Sequence, residues 1–221
     1  MKAPAQLRID IVSDVVCPWC AVGYKQLEQA IGLIGNKAEF GIRWHPFQLA
    51  PNLPPEGQSI ADYGRERYGA TPEQSAANRT RIQNAGASLG LEFNYSSDSR
   101  IYNTRTAHKL LTWAGEEGGQ TALKLALFHA YFTDQKNIAD EDVLLNIVEK
   151  TGLDRAAAAL ALKDPHYDEV VDAELHHWQM QNITGVPAFI VNGKYMIPGA
   201  QDVEVFARAL RRMHEKSLAA E

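Results

Sequence analysis

The chain has 221 residues, of which 45% are hydrophobic and 22% charged, and 22 basic against 27 acidic side chains leave a formal charge of −5. That composition is ordinary for a globular protein, and a chain of this size buries about 70% of its unfolded surface, so it needs no disulfide staple to fold. No Lys/Arg run or basic stripe is present, which counts against a nucleic-acid partner. No stretch approaches the roughly 18 apolar residues of a membrane span, so no membrane partner is expected.

Met1 to Gln6 carry no apolar core followed by a small-residue cleavage site, so the chain as given is expected in the cytoplasm. Leu7, Ile9 and Ile11 then alternate with Arg8 and Asp10, the period of a strand. After Asp14 the spacing becomes helical through Leu27, Ile31 and Ile34, and Gly35-Asn36 ends that helix. Phe40 to Phe47 predicts a second strand with Pro46 near its end, and Pro51, Pro54 and Pro55 mark an exit loop.

From there to about residue 183 the pattern is almost wholly helical. Thr71-Pro72-Glu73-Gln74 is a capping box with proline at the first helical position, and that helix stops near Gly90. Further helices are expected from Asn103 through Leu110 and Trp113 to Gly118, around Leu123, Leu127 and Tyr131, from Asp140 to Gly152, and from Asp164-Pro165 through Trp178. Strand signals return at Ala188 to Val191 and Lys194 to Ile197, joined by Asn192-Gly193, the strongest short hairpin signal. A last helix carries Phe206, Leu210 and Met213 on one face.

The chemistry concentrates at Cys17-Pro18-Trp19-Cys20, which holds both cysteines of the chain. Cys17 falls where the first helix begins, and Pro18 suits the first turn because its missing N–H would have no partner there. At that position the helix dipole and unpaired N–H groups lower a thiol pKa from about 8.5 to roughly 3.5–7.5. Cys17 is therefore expected to be an exposed, acidified nucleophile and Cys20 the resolving thiol. Pro18 and Trp19 tune the potential. Val186-Pro187, just ahead of a strand, is a candidate cis peptide whose backbone offers pairing groups to a substrate chain. Two cysteines supply half a zinc shell with nothing in the sequence to complete it, so no metal is expected.

Several other residues have both a structural and a chemical reading. His45 and His108 are either hydrogen-bonded structural residues or proton carriers beside a thiolate. Asn103 fits a helix cap better than a substrate contact. Trp44, Phe47 and Trp113 fit a core or an interface, and Asp14 is expected as a solvated loop carboxylate.

With these residues in hand, the chain resembles the DsbA family of thioredoxin-fold proteins, and its FrnE-like branch in particular. The likeness rests on Cys17-Pro18-Trp19-Cys20, on Trp44 to Leu49 with Pro51, on Asn103-Thr104 with Ala107-His108, on Gly185 to Phe189, and on Pro198 to Gln201. The resemblance implies an α/β thioredoxin fold split by a large all-helical insertion. Residues 1–55 and 184–221 would form the thioredoxin-like domain, and 56–183 the helical insertion and connecting helix. It implies thiol–disulfide exchange, with Pro187 cis and facing the cysteines and no cofactor bound. The partner would be a disulfide-containing protein or a small-thiol substrate, with glutathione a candidate co-substrate.

In a reducing compartment, reduction or isomerisation is the expected direction. A second hypothesis is a glutathione-dependent transferase or isomerase of small aromatic compounds, like the kappa-class transferases and hydroxychromene-carboxylate isomerases. Those typically place serine where Cys17 stands. A third is a non-catalytic chaperone using an apolar groove. Substrate, potential and oligomeric state are beyond what the residues specify.

Overall fold

The computed structural model describes residues 6–218. Strand β1 (Gln6–Ser13) lies at the centre, with Leu7, Ile9 and Ile11 fully buried on one face. Helix α1 (Pro18–Ile34) follows and returns the chain to β2 (Glu39–Pro46), which pairs in parallel with β1 from Gln6 opposite Glu39 to Ser13 opposite Pro46. A parallel neighbour requires such a crossover, and α1 supplies it.

The chain then leaves the sheet. A two-stranded antiparallel ribbon of β3 (Gln58–Ser59) and β4 (Arg100–Ile101) brackets α2 (Ile60–Tyr68) and α3 (Pro72–Ala87). Next come α4 (Arg105–Glu116), α5 (Gln120–Phe132), α6 (Glu141–Lys150), α7 (Arg155–Lys163) and α8 (Pro165–Met180). The chain rejoins the sheet through β5 (Ala188–Val191) and β6 (Tyr195–Pro198), and α9 (Val203–Leu218) closes it. The order across the sheet is β2-β1-β5-β6, with β5 antiparallel to both neighbours. Among the described residues, no helix is long and apolar enough to cross a membrane.

The predicted caps act as such. Thr71 and Gln74 form both bonds of the capping box, and the Asp140 and Asp164 carboxylates accept first-turn N–H groups. Asn192 and Gly193 take φ of 52° and 65°, as a type I′ hairpin needs, and Lys194 N–H donates to the Val191 carbonyl at 3.1 Å. The pattern did not anticipate α2, α7 or the β3–β4 ribbon. Two-residue strands carry no period, and in the alanine-rich α7 the exposed Leu160 blurs the buried face of Ala158, Ala161 and Leu162.

The sheet has two differently furnished faces. On one, Trp44 of β2 packs on Tyr24 of α1 and Phe128 of α5, with ring centroids 4.9 and 6.1 Å apart, and Phe189 meets Phe206 of α9. Gly23 lets α1 sit this close, since a Cβ there would lie 3.1 Å from the Phe189 ring and 3.3 Å from Pro187. On the other face, Val12, Ala188 and Ile190 pack against Trp178 of α8 and Ile183. At the sheet edge the Gln120 amide accepts from Trp44 N–H at 2.9 Å and donates to Trp44 C=O at 3.0 Å.

Candidate active site

Cys17 is the N-cap of α1, with φ −90° and ψ 110°, and Pro18 is its first helical residue. The backbone turns tightly there: Cys17 N–H donates to Asp14 C=O at 3.3 Å, and Cys20 N–H to Cys17 C=O at 3.0 Å. Both cysteines are free thiols. The Val186–Pro187 peptide is cis. It brings the Val186 carbonyl to 3.7 Å from Cys17 Sγ, with Pro187 beside α1 at Gly23. The loop before β5 and the start of α1 thus bring Cys17, Cys20, Val186 and Pro187 together.

A groove of about 550 Å³ runs along this junction, lined by Cys17, Pro18, Trp19, Tyr63, Tyr95 and Val186. Trp19 is half-buried in its wall, with the Arg81 guanidinium 5.1 Å from its ring centroid. The aromatic cover comes from Tyr63 and Tyr68 of α2 and from Tyr95, and α3 adds Arg79, Arg81 and Ile82.

Two expectations about Cys17 are corrected. It is not exposed: its relative exposure is 4%, against 0% for Cys20, because the helical cover closes over it. Nor is its sulfur capped by helix amides, since no side-chain capping bond forms and Sγ faces the Val186 carbonyl instead. The two thiols titrate as one unit. A hydrogen bond with Cys20, together with burial, pushes the Cys17 pKa well above the ordinary thiol value. For Cys20 burial acts upward, but hydrogen bonds from Cys17 and Ser13 and the charge of Lys124 prevail and lower its pKa. The negative charge of the reduced pair is therefore drawn inward, toward Cys20.

The supporting residues separate into two groups. His108 lies in the wall beneath the site, with Nε2 2.9 Å from the Phe47 carbonyl and 3.3 Å from Asp14 Oδ1, and burial lowers its pKa. Asp14 is fully buried rather than solvated, and its carboxylate accepts the Leu49 N–H at 2.7 Å. His45 sits on the other face of the sheet, away from the cysteines. It bonds Glu174 at 2.6 Å and Asp10 at 3.0 Å, which marks it as structural. Burial opposes its charge, yet the two carboxylates raise its pKa above the ordinary value. Asn103 accepts the Arg105 N–H at 2.9 Å and donates to Pro51 C=O at 2.6 Å, so it ties the start of α4 to the exit loop. Trp44 and Trp113 are buried, and Phe47 packs at the α8 face of the sheet.

Two residues near the cysteines were not singled out by sequence. The Ser13 hydroxyl is buried without a partner among the neutral groups, and donation to an ionised Cys20 would satisfy it. Lys124 of α5 is fully buried. Its Nζ donates to Ser13 C=O at 3.4 Å and lies 5.3 and 5.1 Å from the Trp44 and Phe128 ring centroids. The described residues form lysine ion pairs through Lys25, Lys109 and Lys136, but none through Lys124. Among the described residues, no group of three or more His, Cys, Asp or Glu is placed to hold a metal ion.

The DSBA-like thioredoxin domain matches residues 8–211. The uncharacterized protein YwbO of Bacillus subtilis is 32% identical over 211 residues, which is 95% of this chain and 98% of YwbO. The thiol:disulfide interchange protein DsbL of Escherichia coli is 24% identical over 212 residues, covering 93% of this chain and 78% of DsbL. The crystal structure of a probable DsbA oxidoreductase from Streptomyces coelicolor has a TM-score of 0.85 at 30% identity, covering 93% of this chain and 89% of that one.

Proposed function

Because this chain belongs to the DSBA-like thioredoxin domain family, with that family's α/β fold and helical insertion, we propose that it is a thiol–disulfide oxidoreductase acting through Cys17 and Cys20. The observation that carries the proposal is the placement of Cys17. Its sulfur stands at a helix N-terminus, 3.7 Å from the carbonyl before a cis proline, in the wall of an aromatic groove. A substrate strand laid beside Val186 would pair with its backbone, and its disulfide would meet Cys17. Cys17 attacks, a mixed disulfide forms, and Cys20 displaces the substrate from it. Pro18 and Trp19 tune the pair, and Val186 and Pro187 shape the docking edge.

In a reducing cytoplasm the reaction runs toward reduction or isomerisation of substrate disulfides, with glutathione as the renewing thiol. The FrnE-like branch and the 56–183 insertion boundaries belong to the same proposal. The test is insulin reduction with glutathione. Cys17→Ala is expected to be inactive, and Cys20→Ala to accumulate mixed disulfides visible by mass spectrometry. Full turnover by Cys17→Ala would end the proposal.

The aromatic groove also fits the second reading, a glutathione-dependent transferase or isomerase of small aromatic compounds. That reading requires activity to survive Cys20→Ser, whereas disulfide reduction does not.

A further inference from the structure

A buried ammonium ordinarily has a carboxylate against it, because desolvating an unpaired charge is costly. Lys124 has none. Its hydrogen bond to the described residues is the 3.4 Å contact to Ser13 C=O, and the Trp44 and Phe128 rings lie 5.3 and 5.1 Å from it. The groups that act on it come from separate elements: Cys17 and Cys20 of α1, and Asp14 from the turn before it, all favouring its charge. His108 of α4 is held toward its neutral form chiefly by burial, and the charge of Lys124 acts in the same direction. A cavity of about 10 Å³, close to the size needed for one water, is lined by Lys124, His108, Trp44 and Thr112 among others.

We propose that Lys124 is the second proton store of the redox site: an ammonium beside the reduced pair and a neutral amine beside the disulfide. The proposal rests on the thiol–disulfide reading above and deepens it. Lys124 acts through Cys20 and does not itself meet substrate. Its pKa, lowered from 10.5 to about 8 by burial, lies where both forms are accessible.

The protons and electrons balance as follows. In the reduced site the two sulfurs share one proton and one negative charge, and Lys124 is protonated. Cys17, as the thiolate, attacks a substrate disulfide. The substrate S–S bond breaks, a Cys17–substrate bond forms, and the other substrate sulfur leaves as a thiolate. With the neighbouring anion consumed, Lys124 releases its proton to solvent, from which that thiolate is protonated. The neutral amine then accepts the Cys20 proton, and Cys20 attacks the Cys17 sulfur. The second substrate thiolate leaves and is protonated from solvent as Lys124 gives up this proton in turn. Two electrons and two protons have passed to the substrate, and the protein keeps a disulfide and an uncharged amine.

The test combines thiolate absorbance with proton counting near neutral pH. On reduction by glutathione, the wild-type protein is expected to show a thiolate signal and yet release no net proton to solution. Each glutathione thiol loses one proton. The sulfur pair recovers one and Lys124 the other. Lys124→Met, close in length and free to pack on the same rings, is expected to raise the thiolate midpoint by about one pH unit, a tenfold loss of thiolate at fixed pH. A purely structural lysine would leave that midpoint unmoved. Release of one proton per thiolate formed in the wild type would overturn the assignment, as would an unshifted midpoint in folded Lys124→Met. Should that variant not fold, the wild-type proton count decides alone. Failure of glutathione to reduce the pair at all would instead strike the oxidoreductase reading.

Discussion

Each face of the central sheet buries a charge-bearing cluster, and the two are built on opposite principles. On the α8 face, His45 lies between Asp10 and Glu174 at 3.0 and 2.6 Å, and Trp178 donates to Glu174 at 2.9 Å. Each charge has a partner, and none is near a thiol. On the α1 face, Lys124 has a carbonyl, two rings and the thiols. A saturated cluster stabilises one conformation. An unsaturated one keeps a group poised to change its charge. The contrast makes opposite predictions for removal of the central cation.

The largest effect is expected at the saturated cluster. His45→Leu removes the cation shared by Asp10 and Glu174, leaving Asp10 with the exposed Arg8 at 2.9 Å and Glu174 with the Trp178 N–H, and should destabilise the fold by about 3–5 kcal/mol in denaturant titrations. The pH window follows from the shifts. His45 is raised above 6.5, so its contribution is complete below 6.5 and fades as pH rises through the folded value. Asp10 and Glu174 are lowered from 3.8 and 4.5, so theirs are complete above those values and fade in acid. The loss should be greatest between 4.5 and 6.5.

Lys124→Met should go the other way. A lysine lowered from 10.5 to about 8 costs stability in full below about 8, and the cost disappears above 10.5. Its removal is expected to stabilise the reduced protein by about 3 kcal/mol near neutral pH. Denaturant midpoints of wild type and variant check this, and a destabilised variant would erase the contrast between the faces.

Glu174→Gln keeps the shape of the triad and removes one charge. Because Glu174 is partly exposed, the loss should be only about 1 kcal/mol, read by the same titration. Smallest is Asn103→Ala, which frees the Arg105 N–H and the Pro51 carbonyl. About 0.5–1 kcal/mol is expected from thermal unfolding.

Much of the fold was legible because its elements have clear periods and punctuation. Alternation around Ile9, helical spacing to Ile34, the Thr71 box and the Asn192-Gly193 turn each express a local rule. The cysteine pair and Val186-Pro187 were legible for the same reason. What was hidden depends on tertiary cover. Asp14 looks solvated in sequence because it follows a strand, yet the Leu49 amide and His108 enclose it. Cys17 reads as exposed because the sequence marks a helix start but not the aromatic residues folded over it. Lys124 sits beside Leu123 and so reads as the rim of an apolar stripe. Its spacing from Phe128 and Tyr131, four and seven residues on, is the signal that places it inside.

Gln120 has a consequence for how the molecule meets copies of itself. Strand β2 ends the sheet, and an open strand border is a template for another chain. The Gln120 amide bonds both the N–H and the C=O of Trp44, imitating one peptide unit of a missing neighbour. At the opposite border β6 has four residues and ends in Pro198, which cannot donate to a ladder. Recruitment of foreign strands is thereby discouraged along both flanks, and the docking edge of the proposed function lies instead in the backbone ahead of β5.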